Sequence, residues 1–241
     1  MSRLRSYVFA GYVVVSAALV GVFCLPALVS RDATIAAGRA WNRSVLTMLR
    51  VLCGVGYQVR GAERLPTGAG LIAAKHSSEW ETIALASLLP RPCFVLKKEL
   101  ARVPLLGWYA RRAGFIFVDR ADGARALRSM TRQAERAARD GAQVVIFPEG
   151  TRAPVGRAGR YHTGVAALAR ATGVPVVPVA HDAGLYWRGF AGPHVPGTIT
   201  MDVLAPIPAA TPRRALMARL EDAIEPATRA LEAAASGRTE A

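Results

Sequence analysis

Beyond residue 70 the chain carries a series of short, unbroken apolar runs: Leu71–Ala74, Phe94–Leu96, Phe115–Val118, Val144–Phe147 and Val174–Val179, with a late strand expected at Thr198–Leu204. A strand with one face in water alternates apolar and polar residues. A strand buried on both faces does not, so these runs point to a sheet covered on both sides. Helical stretches separate them at about 79–89, 105–112, 121–139 and 164–171, and an Ala/Glu/Arg-rich helix follows at about 212–235. The expected fold class is α/β: a mostly parallel or mixed sheet flanked by helices, preceded by N-terminal membrane-anchoring helices. No linker divides this region, and no internal repeat is evident.

The N-terminal segment has a different character. Tyr7 to Val29 is uncharged, with Arg3 and Arg5 before it and Arg31 after. As a helix it would be roughly 34 Å long, enough to cross a bilayer core. A cleaved signal peptide has a similar layout. The run is long for one, however, and no secretory cysteine pattern follows, so an uncleaved anchor is the preferred reading. In the next segment Trp41, Val45, Met48, Leu49 and Leu52 recur at helical spacing, with Arg39, Arg43 and Arg50 on another face. Such a helix suits the headgroup region of a membrane, or packing on a globular core. The expected organisation is residues 1–55 as anchor plus interfacial helix, and residues 56–236 as the catalytic domain.

The formal net charge is +14, and the only lysines are Lys75, Lys97 and Lys98. A basic chain suits anionic membranes, phosphorylated substrates or nucleic acid. Nucleic acid is the weaker candidate, because no basic cluster interleaved with aromatics is present. A basic membrane-associated nucleic-acid-binding protein is kept only as a remote alternative. Cys24, Cys53 and Cys93 have neither metal-ligand spacing nor a disulfide pattern, which fits a reducing, cytosol-facing location.

Two segments carry chemistry. In KHSSEWE (Lys75 to Glu81), His76 and Glu81 are five positions apart. On a regular helix that spacing puts them about 140° apart. They meet only if His76 lies in a strand-to-helix turn and Glu81 in the first helical turn. Glu81 would then fix one imidazole nitrogen and leave the other free as a base. Ser78-x-x-Glu81 is also a capping box, so Glu81 has a competing role at the helix start. In FPEGTR (Phe147 to Arg152), Pro148 ends a strand, Gly150 permits close backbone approach, Thr151 offers a hydroxyl, and Arg152 offers a fork for phosphate beside Glu149. GFIFVDR ends a third strand in Asp119 and Arg120. VPVVPVA carries Pro175 and Pro178, which suggests an edge or irregular strand lining a groove.

In this order and spacing the blocks resemble the glycerolipid acyltransferases, specifically the bacterial 1-acylglycerol-3-phosphate acyltransferases. That family carries a His and an Asp separated by four residues, then Gly-x-Ile-Phe-x-x-Arg, Phe-Pro-Glu-Gly-Thr-Arg and Val-Pro-x-x-Pro. The similarity runs from about Tyr57 to Pro208, and the third block is identical. KHSSEWETIAL, LKKELARVPLLGW and PVVPVAHDAG look like the proteobacterial branch, with Glu81 in place of the usual Asp. The resemblance implies a glycerol-3-phosphate acyltransferase-like domain on the cytoplasmic side of the inner membrane. His76 would be the general base and Glu81 its orienting partner. Arg120, Glu149, Gly150, Thr151 and Arg152 would bind the glycerol phosphate, with Lys97 as a further contact. Val174, Pro175 and Pro178 would line the acyl-donor groove. It implies lysophosphatidic acid as acceptor, acyl-CoA or acyl carrier protein as co-substrate, membrane lipids as surroundings, and neither metal nor cofactor. Another lysolipid, such as a lyso-ornithine lipid, is the alternative acceptor, with His162 and Thr163 near the acceptor side.

Overall fold

The computed structural model describes residues 2–119, 122–190 and 192–239. Helix α1 (Ser2–Phe23) and helix α2 (Arg31–Cys53) form an antiparallel hairpin. Tyr12 donates to Ser44 at 3.0 Å and the Trp41 indole donates to Ser16 at 3.1 Å. The uncharged run therefore does not form one helix to Val29. Pro26 brings a 3-10 turn, Leu25–Val29, since a proline inside a helix removes a donor and clashes with the preceding turn. Ser30 then caps α2 by accepting from Ala33 N.

Seven strands follow: β1 (Val55–Arg60), β2 (Gly70–Ala74), β3 (Pro92–Lys97), β4 (Ile116–Val118), β5 (Gln143–Ile146), β6 (Val176–His181) and β7 (Gly197–Val203). They lie in the order β1-β7-β6-β2-β5-β3-β4. Every pair is parallel except β6 with β7, so the sheet is mixed, as expected. Helices α3 (Trp80–Leu88), α4 (Leu106–Ala113), α5 (Gly123–Arg139), α6 (Gly164–Thr172), α7 (Ala183–Tyr186) and α8 (Arg213–Thr239) complete the fold.

Strand residues alternate between two cores. Ile72, Ala74, Val145 and Val177 pack with Phe9, Val45, Leu49 and Trp80. Leu71, Ala73, Val144 and Val176 pack with Met130, Leu168, Leu216 and Leu220. Both faces are covered, which is why these strands read as unbroken apolar runs. Strand β1 escapes the sequence pattern because only Val55 in it is fully buried.

Of the two settings open to helix α2, packing on the core is the one seen: Val45, Leu46, Leu49 and Cys53 are buried in the protein. Two of its arginines serve the protein as well. Arg39 donates to Leu89 O and Pro90 O at the end of α3, and Arg31 donates to Ala113 O at the end of α4. One expectation changes: strand β6 is not an edge but lies between β7 and β2. Pro178 is tolerated there because its backbone faces β7 at the last rung, where its carbonyl accepts from Leu204 N.

The outer side of α1 stays bare. Val8, Val15 and Leu19 are more than half exposed and Phe23 is 77% exposed. By length and composition, Arg3–Phe23 is one helix long and apolar enough to cross a membrane.

Candidate active site

Strands β2 and β5 are parallel neighbours, so KHSSEWE and FPEGTR leave the same edge of the sheet side by side. The carboxyl ends of β3 and β4 lie on that edge too, in line with β5. An α/β sheet collects ligand-binding loops at the carboxyl ends of its strands.

His76 lies in the turn after β2, and Glu81 is in the first turn of α3. Their side chains meet: His76 Nδ1 is 2.7 Å from Glu81 Oε1. The same oxygen accepts from Ser77 N and Ser78 N, both at 3.1 Å. Glu81 therefore closes the helix start and orients the imidazole with one atom. A carboxylate at Nδ1 makes that nitrogen the donor and leaves Nε2 free to take a proton. The ring stacks on Phe147, with centroids 4.2 Å apart.

Behind the dyad, His181 is fully buried. Its Nδ1 accepts from Ala183 N, so its Nε2 is the donor to Lys75 O at 2.9 Å. It also lies 3.8 Å from Glu81 Oε2. Burial acts to raise the Glu81 pKa, but His181, the His76 hydrogen bond and charge, and Ser78 N–H act the other way and prevail. Glu81 is therefore held below the usual carboxylate range. The stability this contributes is present above the unfolded-state pKa and is lost as pH falls through the folded value.

FPEGTR forms a tight turn in which Gly150 N donates to Phe147 O and Gly150 has φ +67°, a conformation that favours glycine. Glu149 does not face the cavity. One oxygen takes Lys75 Nζ at 2.6 Å and the other takes His76 N at 2.8 Å. Gly159 lies over it so closely that a Cβ there would meet Glu149 Cγ at 2.8 Å. Arg152 reaches back to the first motif, donating from Nε to Ser78 O and pairing with Glu79 at 3.0 Å. Arg120 lies outside the described residues.

His76 lines a cavity of about 680 Å³ together with Lys97, Gly150, Thr151, Arg152 and His162. Lys97 is exposed at its rim and has no carboxylate partner among the described residues. A second cavity, about 420 Å³, is lined by apolar side chains of α1, α2, α3, β3 and α4, including Ile35, Trp41, Phe94 and Tyr109. Thr82, Leu96 and Leu100 line both cavities. The deeper wall includes Leu105, held at φ +61° in a three-residue turn closed by Leu106 N to Pro104 O.

The acyl-donor groove expected at Val174, Pro175 and Pro178 is not at this edge. Val174 and Pro175 precede β6, which runs parallel to β2, so they lie at the opposite end of the sheet from His76. Pro178 is buried inside β6. None of the three lines either cavity.

Sequence reading gave no role to Lys75 or Glu225 and gave His181 one in structure or substrate fit rather than catalysis; all three are buried around the dyad. A charged residue directly after a continuous apolar strand was the available signal for Lys75. No local pattern marks Glu225, 150 positions away from its partner.

A family model described as Acyltransferase matches residues 56–182. A 1-acyl-sn-glycerol-3-phosphate acyltransferase of Pseudomonas aeruginosa is 42% identical over 159 residues, 66% of this chain and 62% of that protein. A protein of the same description from Saccharomyces cerevisiae is 29% identical over 140 residues, 55% of this chain and 45% of that protein. The chain thus spans less than two thirds of the length of these relatives. The crystal structure of the 1-acyl-sn-glycerophosphate (LPA) acyltransferase PlsC from Thermotoga maritima superposes with a TM-score of 0.79 over 97% of this chain and 98% of that one. At 23% identity that likeness speaks for the fold. With its sheet, its paired motifs and the family match over more than half its length, the chain belongs to the acyltransferase family.

Proposed function

We propose that this chain transfers an acyl group from an acyl thioester to the sn-2 hydroxyl of 1-acyl-sn-glycerol-3-phosphate, giving phosphatidic acid. The observation that carries the reading is the 2.7 Å pairing of His76 with the buried Glu81 at the junction of a basic cavity and an apolar one. The described activity of the Pseudomonas relative agrees with it.

In the proposed reaction His76 Nε2 takes the hydroxyl proton as the oxygen attacks the thioester carbonyl. Glu81 steadies the imidazolium that forms. The tetrahedral intermediate collapses to the ester and expels the thiolate, which takes the proton back from His76. No acyl-enzyme is required. Neither Cys53 nor Cys93 lines either of these cavities, and burial pushes the Cys93 thiol up to about 12. Lys97 and Arg152 hold the acceptor phosphate, Gly150 and Thr151 offer further polar contacts, and Arg120 is assigned there on its motif alone. Glu149 acts from beneath. The apolar cavity takes the acyl chain.

In this reading the bare face of α1 inserts in the membrane, and the same helix lines the apolar cavity through Ala17, Val20 and Gly21. We assign the bacterial inner membrane, with the site facing the cytoplasm. Thioester release with purified protein and lysophosphatidic acid, comparing acyl-CoA with acyl carrier protein as donor, tests the reading. Turnover on a phosphate-free lysolipid such as lyso-ornithine lipid, with none on lysophosphatidic acid, would overturn the acceptor.

The apolar cavity yields one further expectation. Gly38 lines it, and a Cβ there meets no atom within 4 Å. Gly38→Leu should fold at least as well, since glycine inside a helix costs about 0.5–1 kcal/mol relative to alanine. It should lower kcat/KM for long-chain donors about tenfold or more and spare medium-chain donors. Equal loss on both would mean that this cavity does not hold the chain.

A further inference from the structure

We propose that Lys75 and Glu225 are positioning residues for acyl transfer, and that through them the C-terminal helix α8 forms part of the active site. This rests on the reaction assigned above.

Lys75 stands directly before His76 and is 1% exposed. Its ammonium has three acceptors: Glu149 Oε1 at 2.6 Å, Glu225 Oε1 at 2.8 Å and Arg157 O at 3.1 Å. An ammonium has three N–H bonds, so its donors are fully used. An apolar residue would fill this position with less desolvation cost. It would not hold Glu149.

Holding Glu149 matters because of what its other oxygen does. Glu149 Oε2 accepts from His76 N at 2.8 Å, and Ala153 N donates to His76 O at 2.8 Å. The loop after β5 thus clamps both backbone polar groups of the base. The clamp keeps its angle only while Glu149 is fixed from behind, which Lys75 and Gly159 N do.

Glu225 completes the arrangement from outside the family-matched span 56–182. It is 5% exposed and also accepts from Tyr161 OH at 2.9 Å. Burial, then the Glu225 carboxylate, push the Tyr161 phenol far above its usual range, so it remains a donor. About two turns beyond Glu225 on α8, Glu232 accepts from Gly156 N at 3.1 Å, tying the same helix to the same loop. A misplacement of the base by a fraction of an ångström acts on turnover rather than on substrate affinity.

Steady-state kinetics on the full chain tests this. Glu225→Ala should lower kcat about tenfold or more, leaving KM for acceptor and donor within about twofold. Glu225→Gln, which keeps an acceptor oxygen for Lys75 and Tyr161, should restore most of kcat. Leu231→Ala trims the buried side of α8 without touching the ion cluster, so it should lower Tm and keep kcat. If Leu231→Ala loses kcat to the same extent, or Glu225→Ala turns over like wild type, the positioning role is overturned. Should Glu225→Ala not fold, Tyr161→Phe carries the same test: a few-fold lower kcat with unchanged KM supports the role, and unchanged kcat overturns it. A wild-type protein that transfers no acyl group overturns the assigned reaction and this inference with it.

Discussion

Replacing His76 by alanine is expected to lower kcat by about 10²- to 10⁴-fold, with KM for acceptor and donor little changed. Among the described residues the imidazole is the one side chain at the cavity with a free basic nitrogen held by a carboxylate, Nδ1 lying 2.7 Å from Glu81 Oε1. Its removal deletes proton abstraction without disturbing the phosphate contacts assigned to Lys97 and Arg152. The circular-dichroism melt should fall below wild type, because the buried Glu81 keeps Ser77 N and Ser78 N but loses its imidazole partner, and a retained cooperative transition separates lost chemistry from lost fold. Glu81→Ala should lose comparable activity and also stability, since Glu81 Oε1 satisfies Ser77 N and Ser78 N. Glu81→Asp tests reach: it should keep part of kcat if α3 can approach by the missing methylene. Full turnover in His76→Ala would remove the base from the mechanism.

Lys75→Met is the second large expectation, and it concerns stability. It leaves Glu149 and Glu225 facing each other with no cation between them, in a site where both side chains are almost fully buried. Removing one partner of a buried ion pair costs about 3–5 kcal/mol. Denaturant melts should therefore show a clear drop in midpoint at neutral pH. Adding Glu225→Gln to Lys75→Met removes the carboxylate repulsion and should recover about 1–2 kcal/mol, a coupling expected only between residues that share a contact. A single variant as stable as wild type, or a double variant no better than the single, would show that the lysine does not hold these charges together.

The pairing of His76 with Glu81 was legible because its parts are close in sequence. His76 and Glu81 need only a strand exit and one helical turn, and the serines between them supply the donors that close it. The alternative roles for Glu81 proved to be one role, since a single oxygen receives the imidazole and both backbone N–H groups. Glu149 was less legible. Its motif marks a charged turn after a strand, but not which way the carboxylate points, and it points inward to Lys75.

By itself, then, the sequence determined the α/β class, the positions of most strands and helices, and the two loops that frame the candidate site. Those follow from burial period, capping and turn residues, all of which act within a few positions. Only the tertiary structure decided the order of the strands, and with it which loops share an edge. It moved Val174 and Pro175 to the far end from His76, laid α2 on the core, and brought Glu225 to Lys75. These depend on contacts between residues far apart in the chain, and no local pattern encodes which buried charge will meet which.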